Sequence, residues 1–382
     1  MKVILLDQIP EVNNKYSFSL ANALNKNNVD IFICGIDGDD VSAYSGTDYL
    51  PIFERYSKKA NPAQKILSYY RSWKKVFTYC AKHKVDVVHT QWYIFSPIDW
   101  MFQYKLQKEG IKVVVTVHDL LPFNKKFYDY YFHKKIYLNA DMVIAQSKAN
   151  EAALSAKFGV SKERVRYIPH GHYMEYAEFV DIDEAKEKLN INKNRRIVLF
   201  FGQIKKVKGV DILIKAMSHV KSRHPEALCV IAGKVWKDNF STYAELIKER
   251  KLSDSIRTDI RFIDDNEIKY YFGAAEIVVL PYRQIYQSGV VLLGAAYKKP
   301  IVATNEGEFP YVIKDKKTGL LVDSENEKQL GKAINWYLDH PKEAVEHANA
   351  CWNDLNERLS WDTIAKKISD VYNDIFKRKR VH

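Results

Sequence analysis

The sequence predicts an α/β protein made of two doubly wound domains in tandem, with a ligand-binding cleft expected between them. Three observations carry this. Short, continuous apolar runs alternate with helix-like segments through the first half, which is the signature of parallel strands buried on both faces. The same series restarts near residue 195. Between the two lies a stretch with no strand signal, Gly171 to Asn190, which ends in the acidic, helix-prone DIDEAKEKL. The domains are therefore placed at 1–172 and 191–355, with a connection at 173–190 and a terminal segment at 356–382.

Taken in order, the first series of strand-like runs is Lys2 to Leu6, Val29 to Cys34, Val85 to His89, Val113 to Val117, Met142 to Ala145 and Val165 to Ile168. The second is Arg195 to Phe201, Leu228 to Ala232, Ile260 to Ile263, Ile277 to Leu280, Ile301 to Thr304 and Gly319 to Val322. Ligands of such sheets sit beyond the carboxyl ends of the strands, so the loops leaving these runs are the candidate sites. Near the end, Ile364, Ile368, Val371, Tyr372 and Ile375 recur at helical spacing, predicting a packing helix over Trp361 to Lys377.

Composition narrows the classes. Hydrophobic residues make up 47% and charged residues 28%, enough apolar material for sizeable cores and no sign of disorder. The formal net charge of +12 points to anionic partners: phosphorylated small molecules, acidic lipid or nucleic acid. No nucleic-acid recognition motif is present, and none is expected to bind. The four cysteines, 34, 80, 229 and 351, are scattered without a CxxC pair, which offers neither a zinc site nor a disulfide framework. The apolar run in MKVILLDQIP is too short for a signal peptide, and no run reaches a membrane span, so a cytoplasmic location with at most peripheral membrane contact is expected.

Two stretches in the second half carry phosphate chemistry. After the strand ending at Phe201, the turn GQIKKVKG places Lys205, Lys206 and Lys208 just before an amphipathic helix. Cations there can neutralise a diphosphate; a solvated turn is the alternative. The stretch LPYRQIYQSGVVLLGAAYKKPIVATNEGEFP reads as strand end, polar loop, Ser288-Gly289 at a helix N-terminus, helix, and strand. Unpaired N–H groups and the positive end of the helix dipole suit that point to a phosphate.

The order FFGQIKKVKGVDILIKA, LCVIAGK, AAEIVVLPY, SGVVLLGAAYKKPIVATNEGEFP and KTGLLV resembles the C-terminal domain of the family-4 retaining glycosyltransferases, two Rossmann-like domains of GT-B fold. DVVHTQW, KVVVTVHDLLPF, ADMVIAQSKAN and VRYIPHG resemble the N-terminal, acceptor-side domain, and LSWDTIAKKISDVYNDI the helix that crosses back. The resemblance implies transfer of a hexose from a nucleotide-diphosphate sugar, with retention, to a glycan or lipid-linked acceptor in surface polysaccharide or glycoconjugate synthesis. The nucleotide sugar is a substrate, and no cofactor or metal is implied. His118 and Lys208 match catalytic positions. Gly202, Gln203, Lys205, Lys208, Tyr286, Gln287, Ser288, Gly289 and Glu306 fall on the donor side, and Asn13, Asn14 and Asp119 on the acceptor side.

The chain departs from the family pattern at several points. Tyr286 and Gly294 stand where two glutamates are usual, Gln203 stands where an arginine accompanies the lysine, and DQIPEVNNKYSF replaces a glycine-rich loop. Asn13 and Asn14 are expected to supply the backbone angles that glycine would. These departures motivate a rival reading, a catalytically weak GT-B partner subunit of another transferase.

The first domain adds a surface signal. Between Arg55 and Lys84, basic residues that include Lys58, Lys59, Lys65, Arg71, Lys74 and Lys75 occur without any acidic one, interleaved with Tyr56, Tyr69, Tyr70, Trp73, Phe77 and Tyr79. Lys125, Lys126, Lys134 and Lys135 lie among Phe127, Tyr128, Tyr130, Tyr131 and Phe132. Such a mixture suits an anionic bilayer, each nearby cation adding about 1 kcal/mol. Helices that pack their aromatic side on the sheet are the alternative.

Overall fold

The computed structural model describes residues 1–9, 14–42, 44–55, 61–122, 125–285 and 288–377. Asn13, Tyr286 and Gln287, together with Tyr56, Lys58 and Lys59, lie outside the described residues. The chain divides into two compact units, Met1–Gly171 with Leu359–His382, and His172–Arg358.

The first unit runs β1 (Lys2–Leu6), α1 (Asn14–Lys26), β2 (Asp30–Ile36), β3 (Tyr49–Phe53), α2 (Pro62–His83), β4 (Val87–Thr90), α3 (Ser96–Lys108), β5 (Lys112–Val117), α4 (Asp129–Asn139), β6 (Met142–Ala145), α5 (Lys148–Ala156) and β7 (Val165–Tyr167). The second runs α6 (Ile182–Lys188), β8 (Arg196–Phe201), α7 (Val210–Arg223), β9 (Ala227–Ala232), α8 (Phe240–Glu249), β10 (Ile256–Asp259), α9 (Asp265–Ala274), β11 (Ala275–Leu280), α10 (Gly289–Ala296), β12 (Ile301–Thr304), α11 (Phe309–Val312), β13 (Leu320–Val322), α12 (Glu327–Asp339) and α13 (Pro341–Arg358). The last helix, α14 (Trp361–Lys377), belongs to the first unit.

Both sheets are parallel, ordered β3-β2-β1-β4-β5-β6-β7 and β10-β9-β8-β11-β12-β13. Successive residues of one strand serve opposite cores. Val3 and Leu5 pack with α1 and α14, whereas Ile4 and Leu6 pack with Trp73 of α2, Phe102 of α3 and Ile136 of α4. This alternation explains why the strands read as unbroken apolar runs. In each sheet the second and third strands are added on one side of the first and the fourth onward on its other side, so β1 beside β4 and β8 beside β11 are the switch points where a crevice opens.

Two strand expectations need correction. Edge strand β3, sequence YLPIF, carried no apolar-run signal because Pro51 sits in it, which an edge tolerates. The strand expected at Ile260 to Ile263 lies four residues earlier: β10 pairs Ile256–Asp259 with Cys229–Ala232, its only partner strand, and the chain then turns away with Phe262 exposed. The stretch 173–190, expected as a connection, is packed into the second unit, with α6 against α9.

Helix α14 buries Ile364, Ile368, Val371, Tyr372 and Ile375 on the first unit, against α1 and the sheet. Ile368→Ala removes a wholly buried branched side chain and is expected to lower the stability of that unit by about 2–5 kcal/mol, read as an earlier denaturant midpoint for its transition.

Candidate active site

In the second unit the site is built from the turns that leave neighbouring strands β8 and β11. The first turn is a short 3₁₀ stretch, Lys206–Lys208, closed by Gly209, which also caps α7. Gly209 has φ of 66°, and a Cβ there would come to 1.9 Å of the Pro281 carbonyl oxygen. Only glycine allows the two turns to press together. Arg283 fastens them: its backbone N–H donates to Val207 O (2.8 Å), its guanidinium to Lys206 O (2.7 Å), and its two terminal nitrogens to the two Asp211 oxygens (2.7 Å each). Glu325 takes a further pair of its hydrogen bonds. Burial acts to raise the Asp211 carboxyl, but the guanidinium wins and holds it below its usual value.

This clamp presents Lys208. Its Nζ lies 3.7 Å from the ring centroid of buried Tyr282, a cation–π contact in place of a salt bridge. Burial first, and then the like charge of Lys205, pull its pKa from 10.5 to about 7. Among the described residues no carboxylate bears on it. A half-buried ammonium of this kind gains much from an arriving anion.

Ser288 stands at the N-cap of α10 with an extended backbone, yet its side chain caps nothing. The Tyr282 hydroxyl leans towards it, but Ser288 Oγ is buried without a complete hydrogen bond. The first N–H groups of α10 therefore lack the usual side-chain acceptor. Gly202 lies alongside: a Cβ on it would come to 3.3 Å of Val290 in the first turn of α10. Gln203 is exposed, Lys205 has its Nζ 5.8 Å from the Trp236 ring, and a Cβ at Gly289 would meet the Tyr173 ring at 3.5 Å. After β12, half-buried Glu306 precedes Gly307, whose φ of 54° lets the loop pass against Ile285 O. Gly202, Lys205, Lys208, Ser288, Gly289 and Glu306 thus all leave the carboxyl ends of adjacent strands. Gly294 faces the sheet, where a Cβ would lie 3.2 Å from Ile301 and 3.6 Å from Val278.

In the first unit, His118 immediately follows β5 and is buried. Its Nε2 is 2.9 Å from Gln91 Oε1, which accepts, so the proton sits on Nε2. The ring stacks on Trp92 at 4.4 Å and 9° and meets Tyr16 edge-on at 5.2 Å. Burial, helped by His170, lowers its pKa to about 3, so it works as a neutral imidazole. Gln91 links onward to His89, which lies between Thr116 Oγ1 and the Tyr372 hydroxyl at 2.7 Å each. Gln146 donates to Tyr16 Oη (3.0 Å) and keeps a buried, unpartnered Oε1. Asp7, just past β1, accepts from Ser17 Oγ (2.5 Å), and burial raises its pKa to about 6.

Asp119 is half-buried after His118. Asn14 corrects an expectation: it opens α1 in a helical conformation and supplies no glycine-like backbone angle. Gln91, Trp92, Tyr16, Gln146 and Asp7 were missed as site residues. Gln91, Trp92, Gln146 and Asp7 had a signal, since each directly or closely follows a strand run. Among the described residues no group of three or more His, Cys, Asp or Glu could hold a metal ion.

Two parallel sheets, each with its polar groups at the switch point, define a double-domain α/β transferase architecture. Residues 14–175 match the model for Glycosyltransferase Family 4, and residues 181–351 the model for Glycosyl transferases group 1. A solved glycosyltransferase from Rickettsia africae superposes with a TM-score of 0.78 at 22% identity, over 99% of this chain and 100% of that one. Anabaena Alr3699/HepE, solved in complex with UDP, gives 0.77 at 17% identity over 98% and 100%. The D-inositol 3-phosphate glycosyltransferase of Corynebacterium glutamicum is 23% identical over 86% of this chain and 81% of its own. The chain is a glycosyltransferase of GT-B fold that carries the family-4 and group-1 domains.

Lys208 is expected to titrate near pH 7 when its Cε resonance is followed by NMR, and Lys205→Ala is expected to raise that midpoint by removing the like charge. A Lys208 midpoint near 10.5 would contradict the burial argument.

Proposed function

We propose that the protein transfers a hexose from a nucleotide-diphosphate sugar to a glycan or lipid-linked acceptor, with retention at the anomeric carbon, in the synthesis of a surface polysaccharide or glycoconjugate. The observation that carries this is the ammonium of Lys208 over Tyr282, with no carboxylate against it among the described residues, beside a helix start that the Ser288 side chain does not cap. Support comes from Anabaena Alr3699/HepE, solved with UDP and with UDP-glucose, and from relatives named for glycosyl transfer to an inositol phosphate.

In this reading the diphosphate rests on Lys208, Lys205 and the first turn of α10. Lys208 takes up a proton from solvent when the donor binds, and as the anomeric C–O bond breaks its ammonium faces the negative charge that grows on the leaving diphosphate. The acceptor hydroxyl attacks from the same face and passes its proton to the leaving-group oxygen, so no protein nucleophile is needed. Catalysis is then electrostatic and positional. His118, neutral and fixed by Gln91 and Trp92, is suited to orienting a neutral hydroxyl in the first unit. The reaction calls for no metal.

A second reading has one observation behind it. The α10 position where the resemblance leads one to expect a carboxylate is Gly294, packed on Ile301 and Val278, which fits a partner subunit that binds a nucleotide without turning it over. Slow hydrolysis of a panel of nucleotide sugars separates the two, because a competent transferase leaks to water and a binding subunit releases no nucleotide. For the transferase, Lys208→Ala is expected to lower kcat by about 10²- to 10³-fold, measured as nucleotide release; unchanged turnover would remove Lys208 from the mechanism.

A further inference from the structure

We propose that the outer face of α2, α3 and α4 in the first unit docks on an anionic lipid bilayer. The proposal goes beyond the transferase reading and does not depend on it.

The face is continuous. Tyr70 of α2 meets Phe102 of α3 at 5.4 Å, and Trp100 of α3 meets Phe132 of α4 at 5.8 Å. From Phe132 the rings continue to Tyr128 (6.3 Å) and Phe127 (5.2 Å from Tyr128). Phe127 is 97% exposed, and Leu67, Ile66, Tyr104 and Tyr131 are also large and exposed. Lysines lie over the outward rings: Lys108 over Tyr104 at 5.3 Å, and Lys135 over both Trp100 and Tyr131 at 4.5 and 4.6 Å, while Lys105 sits above the buried Phe102 at 5.1 Å. Aromatic rings with ammonium groups above them match the headgroup level of a membrane, where rings enter the boundary and lysines stay with the phosphates.

Charge decides the kind of membrane. Helix α2 has no carboxylate. Asp99 of α3 is wholly buried, bonded by the Tyr69 hydroxyl, Trp73 Nε1 and Phe95 N, and Asp129 of α4 is buried between Ser96 Oγ and Lys126 N. Glu54, outside the helices, is engaged with Ser68 and Lys75, and Glu109 lies just past the end of α3. The cations Lys74 of α2, Lys105 and Lys108 of α3 and Lys134 of α4, with Lys125 and Lys126 just before α4, are therefore exposed, and the carboxylates within those helices are buried. Such a face repels a second copy of itself. A nucleic acid would satisfy the lysines but gain little from Leu67, Ile66 or Phe127, whereas a bilayer accepts both. Among the described residues no helix is long and apolar enough to cross a membrane, so the attachment is to one leaflet.

The test is co-flotation of the full chain with phosphatidylcholine vesicles, with and without about one-third phosphatidylglycerol, at about 0.05 M and about 0.5 M salt. Binding is expected only to the anionic vesicles and only at low salt. Combined Lys105→Glu, Lys108→Glu and Lys134→Glu should weaken it about tenfold or more. Phe127→Ser, at a side chain that leaves the core untouched, should weaken it with the charge unchanged. No binding at low salt would overturn the proposal. So would binding that ignores both variants, tighter capture by a nucleic-acid duplex than by vesicles, or a dimer that the lysine variants dissociate.

Discussion

The second unit depends on how closely two turns approach each other at the ends of β8 and β11. The carbonyl of Pro281 occupies the space a side chain would need at position 209, so glycine is obligatory there and the turn of Lys206–Lys208 is pinned to the strand beside it. Arg283 then spends all its polar edges holding that arrangement, on Asp211, Glu325 and two main-chain carbonyl groups of one turn and its surroundings. The consequence is electrostatic. With the arginine and its carboxylates satisfied by one another, Lys208 is left facing an aromatic ring, at the edge of its own proton equilibrium.

The first unit achieves fixed geometry by a different means. His118 is held by a hydrogen bond, a stacked indole and an edge-on phenol, and burial keeps it neutral. The second unit thus carries a lysine whose charge a ligand restores, and the first a histidine whose charge no ordinary pH supplies. The lysine suits stabilising an anion that grows during reaction, the histidine suits orienting a neutral hydroxyl.

Much of the fold was legible because parallel strands covered on both faces must be apolar throughout: β1 and β6 have the bounds their runs predict. Legibility failed at the edges. A strand with one neighbour needs fewer apolar residues and tolerates Pro51, so β3 was silent, and β10, reading IRTD, was overshadowed by the apolar residues after it. In the site, His118 could be found because it directly leaves a strand, and Lys208 and Ser288 because they sit where a strand-leaving loop meets a helix start. The partners that set their chemistry could not: Tyr282 under Lys208 and Tyr16 beside His118 are brought in by tertiary packing across 74 and 102 positions, which local patterns do not encode. Arg283, one residue of the polar loop after β11 in the sequence, is the clamp in the structure.

The central claim is that Lys208 sits half-deprotonated and takes up a proton when a diphosphate arrives. Calorimetry of nucleoside-diphosphate binding at about pH 8, in buffers of different ionisation enthalpy, measures that uptake directly. The account predicts close to one proton absorbed per ligand by the native chain, and none by Lys208→Ala. Heats independent of the buffer, or an uptake that survives loss of Lys208, would contradict it.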